Sequence, residues 1–264
     1  MTDIKKSQSQ SSDKLLLILE TISKNRLPVR LQDLAEKVGM TQSSVLRYLK
    51  ALLSANYIYQ EETTGRYALT WKICSLGENL NSPLGMRNIV SPFINRLAAA
   101  LDLGACLVVN QLNQCMYLDC VDISLSPDRT LQYIGKRAPL HVTSSGKILL
   151  SSFSEAQLDE YIAACGLVKY TDNTITDRER LLEELAKIRE SGYAIDDEEC
   201  EKGLKCFSMP LRSYSGAIVA AISVFGGTER MTEDMMMNRI YPLLSSEIKI
   251  ISARLGFEES SRRN

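Results

Sequence analysis

The chain has 264 residues, 45% of them hydrophobic and 24% charged, with a formal net charge of −1 at neutral pH. That content supplies ample core for globular folding and is enough for more than one domain. No apolar run approaches the roughly 18 residues a membrane span requires, and Met1 to Asp13 is too polar for a secretory leader, so the expectation is a cytoplasmic protein without a membrane partner.

Charge is unevenly spread. Residues 1–72 hold 11 Lys/Arg against 7 Asp/Glu, a balance of +4, while residues 73–264 hold 20 against 25, a balance of −5. A basic N-terminal segment on an acidic body suits a nucleic-acid partner for that segment alone. The seven cysteines (Cys74, Cys106, Cys115, Cys120, Cys165, Cys200 and Cys206) are scattered, odd in number and free of Cys-x-x-Cys pairs. With one histidine in the chain and no Cys-x-x-Cys pair a zinc site is poorly supported, and in a reducing compartment such thiols serve most simply as small buried hydrophobes. No metal or cofactor is expected.

In chain order, residues 1–11 are Ser/Gln/Lys-rich and are expected to be a disordered tail. Asp13 then begins a helix in which Leu15, Leu16, Leu19 and Ile22 cover one face, and Leu17 and Ile18 widen it enough to meet a second subunit. Leu27-Pro28-Val29 fits a short edge strand. Leu31, Leu34, Ala35 and Val38 recur at helical spacing and Gly39 follows as the terminating residue. Thr41 caps a second helix, from about Gln42 to Ser54, whose apolar stripe is Val45, Leu46, Leu49, Leu52 and Leu53.

Two helices at a tight glycine turn are compatible with a helical hairpin in any core, or with a helix-turn-helix whose second helix enters the DNA major groove. The residues that follow favour the second reading. Tyr57 to Gln60 and Arg66 to Leu69 read as a hairpin around Glu61 to Gly65, which is a wing. The candidate DNA contacts are therefore Gln42, Ser43, Ser44, Arg47 and Tyr48 on the helix, with Arg66 in the wing.

Trp71 to Leu80 has a helical pattern stopped by Asn81-Ser82-Pro83 and reads as a linker helix. A long helix from Met86 to Leu101 follows, with a kink expected at Pro92. Strands are expected at Ala105–Gln111, at Cys115–Val121 across an Asn113-Gln114 turn, and at Thr130–Ile134. Helices are expected at 145–152, from a Ser154 capping box to Cys165, and from a Thr176 capping box to Ser191, closed by Gly192. Strands near Tyr193–Asp196, Phe207–Leu211 and Ala217–Phe225 and a last helix over Thr232–Leu255 complete an α+β domain with a mostly antiparallel sheet.

Ser44-Val45-Leu46-Arg47, Leu140-His141-Val142-Thr143-Ser144-Ser145-Gly146-Lys147, the run Gly192 to Glu199 leading through Gly203 to Cys206 and Pro210, and Ala220 to Val224 occur in this order. Together they resemble the IclR family of bacterial transcription regulators over roughly residues 12–257. The resemblance implies an α+β architecture in which an N-terminal winged helix-turn-helix (12–70) is joined by a linker helix (71–82) to a GAF-like effector-binding domain (83–257). A tail (258–264) remains. It also implies a homodimer or homotetramer, a double-stranded DNA operator, a small-molecule effector and control of a catabolic operon. Carried over by position, the effector pocket would involve Leu131, Ile134, Ser144, Ser145, Gly146, Asp196, Cys206 and Ser223. The family often has a second serine two places after Ser223, where this chain has Phe225.

The residues give the pocket an independent rationale. Ser144-Ser145-Gly146 opens a helix, and free N–H groups at a helix N-terminus bind a carboxylate or phosphate by donating to it, although the same serines would equally serve as caps. Gly146-Lys147 is not a phosphate loop, because the first glycine would fall at His141 and Ile148 stands where Ser or Thr is needed. An enzyme or redox-sensing regulator using Cys206, with His141 as base, is the rival class, but it has no identifiable third orienting residue. A protein-interaction adaptor is a further alternative.

Overall fold

The computed structural model describes residues 10–25, 27–76, 83–122 and 132–257. The chain divides into two compact units, Met1–Ser82 and Pro83–Asn264.

The first unit runs α1 (Gln10–Ser23), α2 (Leu31–Lys37), α3 (Gln42–Ser54), β1 (Ile58–Gln60), β2 (Tyr67–Leu69) and α4 (Lys72–Leu76). Val38 caps α2 and Gly39 follows at φ +65°, a conformation that costs glycine nothing. Thr41 caps α3, its hydroxyl accepting the Ser44 N–H. Ile18, Leu34, Val45 and Leu49 are fully buried and close a small core with Ile22, Leu52, Ile58 and Tyr67. β1 and β2 pair antiparallel, Ile58 opposite Leu69, and Val29 adds one bridge to Tyr67 as the sequence anticipates for the Pro28 segment. The C-terminal part of the expected linker helix, 77–80, lies outside the described residues, as do 1–9 and 258–264 of the expected tails.

The second unit contains α5 (Pro83–Leu101), β3 (Gly104–Gln111), β4 (Gln114–Val121), β5 (Arg137–Pro139), α6 (Ser144–Leu150), α7 (Glu155–Cys165) and α8 (Arg178–Ser191). It continues with β6 (Ala194–Asp197), β7 (Leu204–Arg212), β8 (Ile218–Gly227) and α9 (Tyr241–Arg254). The six strands form one antiparallel sheet in the order β5-β4-β3-β8-β7-β6. Alternation along each strand builds two cores. Leu107, Phe207, Ile222 and Val224 face α5 and α9, while Cys106, Val108, Ala221 and Phe225 face α6, α7 and α8. The protein is thus a winged helix-turn-helix followed by an α+β domain with an antiparallel sheet.

Several local expectations are corrected. The β3–β4 turn falls at Leu112-Asn113, both with positive φ as a two-residue mirror-image turn demands, so Gln114 belongs to the strand. Of the expected Thr130–Ile134 strand, Thr130 and Leu131 lie outside the described residues, and Gln132 to Lys136 form a loop. The edge strand is instead β5, whose partners are Gln114 to Met116 and whose Pro139 an edge tolerates. The α6 helix starts one residue early because Thr143 is its cap, and α8 is capped by Asp177 rather than Thr176. The Ser154–Gln157 capping box forms in full. The last helical stretch is not one α-helix: Met235–Ile240 is a six-residue π-helix. Pro242 has no N–H to offer, and the Tyr241 N–H reaches back five residues to the Met236 carbonyl.

Candidate nucleic-acid interface and ligand cavity

On α3, Gln42, Ser43 and Arg47 are exposed and Ser44 is half-buried. The Thr41 hydroxyl ties the first turn together, lying 2.9 Å from the Ser44 hydroxyl and 3.2 Å from that of Ser43. Tyr48 departs from expectation. It is 6% exposed, because Val45, Tyr48, Leu49 and Leu52 are the i, i+3, i+4, i+7 stripe that packs inward. Its hydroxyl still accepts a hydrogen bond from Arg47 Nη2 at 3.1 Å, and the guanidinium lies 5.0 Å from its ring centroid, so Tyr48 orients Arg47 from below. Lys50, which sequence reasoning passed over, is exposed one turn after Arg47 on the same face. Arg66 is half-exposed at the end of the wing turn, where its carbonyl accepts the Glu61 N–H.

In the second unit Ser144, Ser145, Asp196, Cys206, Ser223 and Phe225 line one cavity. Strand register explains the convergence: Asp196 pairs with Cys206, Cys206 with Phe225, and Cys106 with Ser223. Phe225 points inward and shares its face with Ser223, filling the space that Gly104 leaves by lacking a Cβ. Cys106, Tyr117, Lys136 and Cys200 also line the cavity and were not anticipated. Cys106 was findable, since it lies directly across from Ser223. The enclosed space is about 20 Å³, room for one water-sized molecule.

Three pocket expectations do not hold or fall elsewhere. Leu131 lies outside the described residues, and Ile134, in the turn before β5, is 48% exposed and does not line the cavity. Gly146 does not line it either. Its N–H is taken by Thr143 Oγ1 at 3.0 Å, and a Cβ there would stand 2.1 Å from the Leu140 carbonyl oxygen. Gly146 is glycine for close packing.

The polar groups around the cavity are mostly engaged. Ser144 and Ser145 hydroxyls lie 2.7 and 3.1 Å from that of Ser208, which is fully buried. The Asp196 carboxylate, 1% exposed, accepts the Glu199 N–H at 2.8 Å and the Cys200 N–H at 3.4 Å. Burial, with the charge of Glu199, pushes its pKa up to about 7. Lys147 is wholly buried behind this wall, its ammonium 2.5 Å from Glu199 and 3.1 Å from Glu184. Burial disfavours its charge, but the two carboxylates outweigh that and leave its pKa raised.

The rival nucleophile does not assemble. His141 Nε2 lies 3.0 Å from the Val168 carbonyl, to which it donates, and Nδ1 accepts from the Tyr161 hydroxyl at 3.0 Å, so neither nitrogen serves Cys206. Burial holds the His141 pKa down and pushes the Cys206 thiol well up, away from the reactive thiolate.

Two sequence families match these two units. Residues 11–62 match the IclR helix-turn-helix domain, and residues 80–253 match the bacterial transcriptional regulator IclR C-terminal domain. The chain belongs to the IclR family. It is a DNA-binding transcriptional regulator rather than an enzyme. The HTH-type transcriptional repressor AllR of Escherichia coli K12 is 27% identical over 250 residues, 95% of this chain and 92% of AllR. The Thermotoga maritima IclR structure is 28% identical, covers 94% of this chain and 99% of its own, and superposes with a TM-score of 0.62. The inducer-binding domain of a double mutant of the Acinetobacter PobR transcription factor, in complex with 3-hydroxybenzoic acid, is 28% identical, covers 62% of this chain and 96% of its own, and gives a TM-score of 0.58. No helix among the described residues is long and apolar enough to cross a membrane.

Proposed function

We propose that this IclR-family regulator controls a catabolic operon in the cytoplasm, and that a small carboxylate-bearing effector modulates its binding to a double-stranded operator. Residues 12–70 bind DNA, 71–82 link, and 83–257 take the effector. Gln42, Ser43, Ser44 and Arg47 face the major groove, and Arg66 reaches phosphate or minor groove. The reading is carried by the convergence of six residues from separate segments on one cavity: Ser144, Ser145, Asp196, Cys206, Ser223 and Phe225. Phe225 lends it an apolar edge, while Asp196 and Ser223 suit hydroxyl or keto groups. The Acinetobacter PobR domain, with its hydroxylated aromatic acid, supports the same class of ligand here.

The regulator works as a homodimer or homotetramer. On α1, Leu16 and Leu17 are 52% and 44% exposed, an apolar surface that a second copy would cover, and one recognition helix seldom supplies operator affinity alone. Effector binding shifts the population between arrangements with different half-site spacing. The test is footprinting of the DNA flanking the gene, with and without a panel of keto, hydroxy, sugar and aromatic acids. The expected result is an inverted-repeat footprint that one class of acid strengthens or weakens. Acid-insensitive protection with parent protein and a Ser223→Ala variant alike would refute the effector assignment.

A further inference from the structure

Lys136 is the one basic side chain that lines the cavity among the described residues. It is half-buried, and its backbone is fixed on both sides: its N–H donates to the Tyr133 carbonyl and its carbonyl accepts the Tyr117 N–H of β4, each at 3.1 Å. The side chain is therefore anchored at its root. Among the described residues no carboxylate lies within ion-pair distance of its ammonium. The contrast with Lys147 is informative, since that lysine, wholly buried, is answered by Glu184 and Glu199.

Among the described residues, no group on the opposite walls forms an ion pair with Lys136. Asp196 Oδ1 accepts the amides of Glu199 and Cys200, and the group stays largely protonated below neutral pH. The thiols of Cys106 and Cys200 feel the Lys136 charge, yet burial keeps them protonated. The α6 terminus is a poor alternative for an anion. The Gly146 amide is already capped by Thr143, and both serine hydroxyls are turned to Ser208. A half-buried lysine with no ion-pair partner among the described residues, lining a cavity of hydroxyls, thiols and an aromatic edge, suits a carboxylate.

We propose that Lys136 is the ligand's carboxylate partner and the residue that restricts this cavity to compact monocarboxylic acids. The ligand's second oxygen function lies toward Ser223, and its apolar edge lies toward Phe225 and Tyr117. The proposal rests on the effector-cavity reading above and gives it a cation that the sequence did not single out.

Calorimetry with the full chain tests it. The probes are the panel acids, 3-hydroxybenzoate among them, each paired with its uncharged primary amide, against the parent, Lys136→Met, Lys136→Arg and Ser223→Ala. The parent is expected to prefer acid to amide. Lys136→Met should weaken the acid by about ten- to a hundredfold, the worth of one charge-assisted hydrogen bond, leave the amide within about twofold, and keep the ligand-free melting temperature. Lys136→Arg should retain most acid binding. If Ser223→Ala loses the acid but Lys136→Met binds it as the parent does, the cavity reading stands and the lysine assignment falls. If no acid binds, or both variants bind every acid unchanged, both fall together.

Discussion

The Asp196 carboxylate accepts the backbone N–H of Glu199 at 2.8 Å, and the Glu199 carboxylate in turn pairs with the buried ammonium of Lys147. A cavity-lining acid is thereby tied to a charge pair behind the wall, and its proton becomes part of the ligand's environment. With Asp196 titrating near 7, an anionic ligand meets a neutral donor below that pH and a like charge above it. Affinity for an acid should fall by up to about tenfold between pH 6 and 8, the limit for one linked proton, and Asp196→Asn should flatten the profile. Calorimetry across that range checks it. The same shift sets a stability trend: the folded pKa lies above the unfolded one, so Asp196's contribution is full below about pH 4 and is lost as pH rises toward 7.

Lys147 should be the costliest charge to remove in the second unit. Lys147→Met strands the buried Glu199 carboxylate and is expected to destabilise by about 3–5 kcal/mol in urea titrations followed by circular dichroism. Lys147→Met combined with Glu199→Leu should recover most of that loss, because a matched apolar pair no longer carries the desolvation penalty.

His141 predicts an acid-side weakness. Its folded pKa is held down by burial, so the unfolded chain binds the proton first. The stability contributed by the neutral imidazole is full above about pH 6.5 and is lost as pH falls below it. Urea midpoints should drop on that side more steeply for the parent than for His141→Phe. Tyr161→Phe removes the hydroxyl shared by His141 Nδ1 and the His141 N–H and should cost about 1–3 kcal/mol at neutral pH.

Adjacent residues on α3 should separate cleanly. Arg47→Ala is expected to weaken operator binding by about 1–3 kcal/mol with the fold intact, as loss of one good base contact would. Tyr48→Ala should instead cost about 3–5 kcal/mol of stability, as truncation of a buried aromatic does. Tyr48→Phe keeps the packing and removes only the hydroxyl under Arg47, so a smaller affinity loss without unfolding is expected. Gel shifts and thermal melts on the three variants decide the split.

The N-terminal unit was legible because its signals are local: Thr41 as cap, Gly39 as stop, a helical stripe and a short hairpin. Tyr48 was misplaced because a tyrosine suits either face, and only the i, i+3 spacing from Val45 reveals its side. In the second unit, strands with clear alternation were found within a few residues. The turn at Leu112-Asn113 was missed because leucine is an unusual choice for a positive φ. Gly146 looked like a ligand contact in sequence, yet its neighbour across the fold is the Leu140 backbone, which no local pattern encodes. Lys136, Tyr117 and Cys200 enter the cavity only through tertiary packing, so periodicity carries no trace of them.

The sheet of the second unit joins its earliest long strand to its last, since β3 lies between β4 and β8, with Gly104 opposite Phe225. A chain emerging from the ribosome can close the β3–β4 hairpin at once, but β7 and β6 have no place to attach until β8 arrives. The wall bearing Ser223 and Phe225 is therefore assembled last, and non-local pairing of this kind makes folding slow. A nascent or truncated chain that stops short of Ile218 would present β3 with a bare edge, a template for pairing with other chains. Premature termination in this unit should yield aggregates for proteolysis rather than a regulator that has merely lost its response.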